Sequence, residues 1–185
     1  MTTTTFQTNA LVGSLEKQVE KHLQIALSEF QNLTETTLLK PAVNGGWSIA
    51  QCLEHLNTYG RYYLPLVAEK LKSAPPFRAP FKSGWLGGYF VRMMQQPAAQ
   101  KPLKAAKIHL PSQKLDAHAI VAEFIQQQEN LLTYIRQARN KNLQRSTIPT
   151  SIFRLIKLNT GDALRFLTAH TERHMIQAKR NLTKL

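Results

Sequence analysis

Four stretches of this chain repeat apolar side chains at steps of three and four residues, and that recurrence limits the fold more than any other feature. In the first, from about Leu11 to Leu33, the apolar positions are Val12, Leu15, Val19, Leu23, Ala26, Phe30 and Leu33. An α-helix turns once in about 3.6 residues, so such steps gather on one face, whereas a half-buried strand alternates at every second residue. The second stretch begins after Asn44-Gly45-Gly46-Trp47, with Ser48 as N-cap, Gln51 completing a capping box and Trp47 placed as a hydrophobic staple. It extends to about Leu71, ahead of Pro75-Pro76, and Pro65 inside it predicts a kink or an early end. The third opens near Asp116 and carries Ile120, Phe124, Gln128, Leu131 and Ile135 on one face, fading after Ala138. The fourth follows Asn159-Thr160-Gly161-Asp162, where Asn159 or Thr160 caps, and runs nearly to the C-terminus. Almost no segment alternates as a half-buried strand would; Ala106-Lys107-Ile108-His109-Leu110 is the nearest candidate, short and followed by Pro111. Four long amphipathic helices predict an all-α four-helix bundle, and 185 residues suffice for one domain spanning 1–185.

The stretch between the second and third helices, residues 73–112, has a different composition. It holds Pro75, Pro76, Pro80, Pro97, Pro102 and Pro111, the pair Gly87-Gly88, and the aromatics Phe77, Phe81, Trp85, Tyr89 and Phe90. Within it, Ser83 to Gln96 predicts a short helix bearing Met93 and Met94. A connection this long permits a crossover in place of a tight hairpin. It reads either as a substrate-covering lid or, the plainer and preferred alternative, as a packing element over the bundle.

Composition narrows the function classes. Lys+Arg 24 against Asp+Glu 11 leaves a formal charge of +13, a charge suited to nucleic acid, anionic lipid or an acidic small molecule. The cations are scattered in small groups, Lys70/Lys72, Lys101/Lys104/Lys107, Arg136/Arg139/Lys141 and Lys179/Arg180/Lys184. That scatter fits a solvated face better than a nucleic-acid footprint. A single cysteine, Cys52, excludes an intramolecular disulfide and fits a reducing compartment. The N-terminal Met1–Gln7 lacks the pattern of a signal peptide, and no run approaches the ~20 apolar residues of a membrane span. The expectation is a cytoplasmic protein with no membrane partner.

Chemistry is carried by three histidines. His170 and His174 are one turn apart on the fourth helix, in the stripe Ala163, Leu167, His170, His174, Ala178. His55 falls in the stripe Ser48, Cys52, His55, Tyr59, Tyr62, Leu66 of the second. Three buried imidazoles need partners for six nitrogens, and a shared divalent ion such as Zn²⁺ or Ni²⁺ supplies three of them. Three ligands leave a coordination position open, as in catalytic sites. Packing histidines in a non-catalytic scaffold are the competing explanation. Cys52, one turn from His55, is either a soft fourth ligand or, preferably, a buried filler. His22, His109 and His118 carry no functional reading, and no residue is assigned as catalytic, although Tyr59 and Tyr62 could donate a hydrogen bond near His55. His170 is not followed by Glu, which removes the zinc-peptidase pattern.

Gly46-Trp47-Ser48-Ile49-Ala50-Gln51-Cys52-Leu53-Glu54-His55-Leu56 resembles the W-s-x-x-[QE]-x-x-x-H-L opening of a helix in the DinB-like (YfiT-like) metalloenzyme family. His170-Thr171-Glu172-Arg173-His174-Met175-Ile176-Gln177 resembles that family's H-x-x-x-H-x-x-Q segment. The resemblance implies an up-down-down-up bundle, often a homodimer, with metal ligands at His55, His170 and His174. Related members transfer low-molecular-weight thiols, or isomerise or hydrolyse small molecules. The expected function is therefore that of a metal-dependent hydrolase or thiol S-transferase. It would activate water or a low-molecular-weight thiol against a small-molecule substrate held under the 73–112 connection. The alternatives are a basic stress-associated or nucleic-acid-binding module and a metal-free scaffold.

Overall fold

The computed structural model describes residues 4–76, 79–96 and 104–182. Phe77, Pro97, Lys101, Pro102, Lys184 and the terminal Met1–Thr3 of the sequence reading lie outside them. The elements in chain order are β1 (Thr5–Phe6), α1 (Thr8–Ile25, prolonged by a π turn over Ala26–Phe30), α2 (Glu35–Leu39), α3 (Ile49–Ser73), β2 (Phe81–Lys82) and α4 (Trp85–Gln95). A 3₁₀ turn over Lys107–His109, α5 (Ala117–Gln137), β3 (Thr147–Pro149), β4 (Lys157–Asn159) and α6 (Thr160–Leu182) complete the chain.

Local chemistry sets the helix ends. Ser48 Oγ accepts from the Gln51 N–H at 3.1 Å and Gln51 Oε1 accepts from the Ser48 N–H at 2.9 Å, a reciprocal capping box. Asp116 Oδ1 accepts from the Ala119 N–H at 3.0 Å, and Asn159 Oδ1 accepts from the Asp162 N–H at 2.7 Å, which settles Asn159 as the α6 cap. Pro65 does not end α3, which continues to Ser73. Its ring lies on the exposed side of the helix, where water can reach the carbonyl that lacks an N–H partner. Residues 106–110 form no strand; a 3₁₀ turn lies there, and among the described residues no strand pairs with it. Two short ribbons that the apolar pattern does not announce are present instead, β1 with β2 and β3 with β4, both antiparallel.

Cross-helix pairs fix the directions of α1, α3, α5 and α6. His22 and Glu29 on α1 meet Glu172 and Lys179 on α6, so these two run parallel. Glu20 and Glu16 meet Arg136 and Arg139 in reverse order, so α1 and α5 are antiparallel. Asn57 and Arg61 of α3 meet Ile120 and Glu123 of α5 in parallel sense. His55 meets His170, and Asn181 bonds back to Trp47 at the start of α3, so α3 and α6 are antiparallel. The result is an up-down-down-up bundle in which α1 lies diagonal to α3 and α5 to α6. Parallel neighbours cannot be joined by a tight turn. From the end of α3 the chain must return the length of a 25-residue helix, about 37 Å at roughly 1.5 Å per residue, before α5 can begin. Gly60 allows α3 and α5 to approach closely: a Cβ there would fall 1.7 Å from Gln127 Oε1, and Gln127 Nε2 is tied to the Asn57 carbonyl and Glu123.

The apolar interior divides into two clusters. One contains Val19, Tyr63, Val67, Leu131, Ile135 and Leu164, and the other Phe30, Leu38, Ile49, Leu53, Phe124 and Met175. Between them, buried His22, His55, Asn57, Gln127, Gln128 and His170 form a polar layer across the bundle. The histidine site belongs to that layer. Among the described residues no helix is long and apolar enough to cross a membrane.

Candidate metal centre

The structure brings His55, His170 and His174 together, with one ligand nitrogen from each lying within 4.8 Å of the others. The capping box starts α3 so that His55 falls inward two turns later, and the Asn159 cap sets the phase of α6 for His170 and His174. His55 and His170 are 2% and 4% exposed.

Hydrogen-bond partners assign the tautomers. His55 Nδ1 lies 2.7 Å from the carbonyl of His109, which can only accept, so Nδ1 carries the proton and Nε2 presents a lone pair. His174 Nδ1 donates to Gln177 Oε1 at 3.0 Å, leaving its Nε2 unprotonated in the same way. His170 Nε2 faces His55 Nε2 at 3.2 Å, and His170 Nδ1 is buried without a protein partner. Lone pairs converging in a low-dielectric interior repel unless a proton or a cation lies between them. Three converging imidazoles, two of them with ring N–H groups oriented by outer acceptors, match the way metal-ligating histidines are held. The residues therefore fit a divalent cation.

Burial keeps the imidazoles neutral. It depresses His55, although the His109 carbonyl acts in the opposite direction. It lowers His174 to about 3, with repulsion from His55 adding to the effect. His170 is pushed well below the ordinary imidazole range, first by desolvation and then by His174 and His55.

His109 has a place in the site that its sequence position does not announce. Its ring stacks on Tyr59 with centroids 3.8 Å apart. Thr58 Oγ1 donates to the His55 carbonyl at 2.7 Å and accepts from His109 Nδ1 at 2.9 Å, so Ser151 Oγ donates to His109 Nε2 at 2.7 Å. The ring is thereby fastened to α3 and to the β3–β4 loop, while the same residue's carbonyl orients His55. Its signal lies in long-range partners and a main-chain oxygen, neither visible as a motif. Trp47 also contributes, stacking on His174 at 5.8 Å and lying 4.9 Å from His55. Of the two tyrosines singled out above, Tyr59 packs 4.4 Å from the His170 ring and burial raises its pKa. Tyr62 points away and donates to the Pro149 carbonyl. Cys52 is fully buried in the apolar cluster, with its thiol pushed up to about 12 by desolvation, and it is not among the clustered ligands. His22 pairs with Glu172 at 2.6 Å, and His118 is exposed.

The histidines open onto a cavity of about 950 Å³. Aromatic and aliphatic side chains dominate its wall, among them Phe90, Met93 and Met94 of α4 and Phe166 of α6. Its charged lining is cationic, from Lys104, Arg173 and Arg180, with no Asp or Glu among the described residues. Arg173 donates to the carbonyls of Met94 and Gln96, fastening the end of α4 to the helix that carries two of the histidines.

Comparison with the curated proteins finds no match. Among solved structures, YfiT from Bacillus subtilis, described as a probable metal-dependent hydrolase with an unusual four-helix bundle topology, is similar in fold. The TM-score is 0.55 at 16% identity, covering 96% of this chain and 87% of that one. The family model of the DinB superfamily matches residues 18–178, and the chain belongs to that superfamily.

Proposed function

We propose that this protein is a metal-dependent enzyme acting on a small anionic molecule, with His55, His170 and His174 holding a divalent ion such as Zn²⁺ or Ni²⁺. The observation that carries the reading is the convergence of the three ligand nitrogens within 4.8 Å at the wall of a 950 Å³ cavity. When bound, such an ion supplies a Lewis acid that makes water or a thiol nucleophilic near neutral pH. The chain's own residues orient His55 and His174, through the His109 carbonyl and Gln177, and keep the ring protons of these two on the side away from the site. Lys104, Arg173 and Arg180 favour an anionic substrate, and the apolar wall excludes bulk water from the reacting end.

Hydrolysis is the first reading, supported by the description of the similar fold. Transfer of a low-molecular-weight thiol is the second, favoured by one feature: among the described residues no carboxylate lines the cavity as a general base. A thiol of ordinary pKa near 8.5 needs less help to ionise than water does. Elemental analysis of protein purified without added metal or chelator tests the common ground. About one divalent ion per chain is expected, lost in His170→Ala and His174→Ala. Stoichiometric metal retained in either variant removes the assignment. Substrate panels with and without added thiol then separate the two reactions.

A further inference from the structure

A second space of about 20 Å³ shares Tyr59 and His170 with the large cavity and is lined also by Gly60, Gln127, Gln128 and Thr171 with their apolar neighbours. Two buried polar atoms without a protein partner belong to side chains that line it, His170 Nδ1 and Gln128 Oε1. Both residues are at least nine-tenths buried, at 4% and 5% exposure. One water needs roughly 10–15 Å³ and two to four polar neighbours, so the space meets both requirements. An unpaired polar atom in such a place is unfavourable, because it has lost its hydrogen bonds to bulk water and gained none in return. Two such atoms on side chains that line one small void point to one shared partner.

We propose that this space is a binding site for a single structural water that bridges His170 Nδ1 to Gln128 Oε1, and that Gln128 is thereby a positioning residue for the metal ligand His170. The inference rests on the metal-centre reading above. Water suits the task because it donates and accepts. Without metal, the 3.2 Å contact between His170 Nε2 and the bare His55 Nε2 places the His170 proton on Nε2, and the water donates to Nδ1. With metal, the His170 Nε2 lone pair is required and the proton resides on Nδ1, donating to the water, which still donates to Gln128 Oε1. The proton changes nitrogen and none is gained or lost at the ring. A directly bonded carboxamide oxygen would satisfy only the second state.

The test compares wild type, Gln128→Met and Gln128→Glu for Zn²⁺ affinity by chelator competition and for metal-free stability in urea. The Met variant removes the acceptor, and the Glu variant keeps an acceptor oxygen. Affinity is expected to fall about 10–100-fold in Gln128→Met, with metal-free stability no lower than wild type, and to recover in Gln128→Glu. A merely structural role would move stability and leave affinity alone. Gln128→Met binding Zn²⁺ as tightly as wild type overturns the proposal while leaving the metal centre standing. A wild type that takes up no metal overturns both.

Discussion

Asp162 is 1% exposed, and its carboxylate accepts from Ser83 Oγ, the Gly84 N–H and Arg165, each at 2.7 Å. This one side chain clamps the start of α4 onto the first turn of α6, and α4 carries Phe90, Met93 and Met94 to the cavity wall. Gly87 makes the clamp sterically feasible. A Cβ at that position would lie 2.2 Å from Asp162 Cγ and 2.4 Å from its Cβ. Alanine gains up to about 1 kcal/mol of helix propensity over glycine, but the carboxylate is held by three donors and has nowhere to move. We therefore expect the clash to prevail, with Gly87→Ala losing about 1–3 kcal/mol as for other overpacked sites. The urea midpoint reads this directly. A variant as stable as its parent would mean that α4 moves over α6 without penalty.

At the level of elements, the short turn Lys107–His109 determines how His55 is held. Its carbonyl takes the His55 ring proton, and the His109 ring anchors the turn through Thr58 and Ser151. His109→Ala keeps the carbonyl and removes the anchors, so His55 loses its fixed orientation. Zn²⁺ affinity measured by competition is expected to drop about 10–100-fold, and Ser151→Ala, which removes one anchor, to drop less. Equal affinity in all three proteins would show that the backbone turn holds its place unaided. The four long helices and the phase of His55, His170 and His174 were legible because helix periodicity is written into the apolar residues themselves. The role of His109 was not, since a main-chain carbonyl has no residue signature and Thr58 and Ser151 are distant in sequence. Pro65 does not bring an early end to α3 because it sits on the solvent side, where a missing N–H is tolerated. The nearest strand candidate, 106–110, forms a 3₁₀ turn because alternation over five residues specifies nothing without a partner strand. The ribbons β1–β2 and β3–β4 were too short to alternate visibly.

For the molecule as a whole, a polar layer between two apolar clusters makes stability depend on pH. Burial depresses His55, His170 and His174, and His109 falls to about 4 through desolvation and repulsion from His55. In the unfolded chain each returns to the ordinary imidazole value of about 6.5. Below that pH the unfolded state binds more protons than the folded one, so folding stability decreases as pH falls. Their contribution is complete above about pH 7 and is lost across the window from about 6.5 down to the folded values near 4 and 3. Glu172 adds to the same slope at its lower end. Its carboxylate is lowered to about 2, first by the hydrogen bond from His22, and its stabilisation is lost as acid protonates it. Urea titrations of chelator-treated protein at intervals from pH 7.5 to 4.5 should show a monotonic fall in midpoint that begins near 6.5. Added salt should change it little, because buried groups are poorly screened. Zn²⁺ should hold the midpoint up to lower pH, since protons must then displace the ion as well as enter the interior. A midpoint flat from 7.5 to 5 in the metal-free protein would mean that the layer takes up protons without unfolding, and that the three imidazoles are far more hydrated than their packing between the two clusters requires.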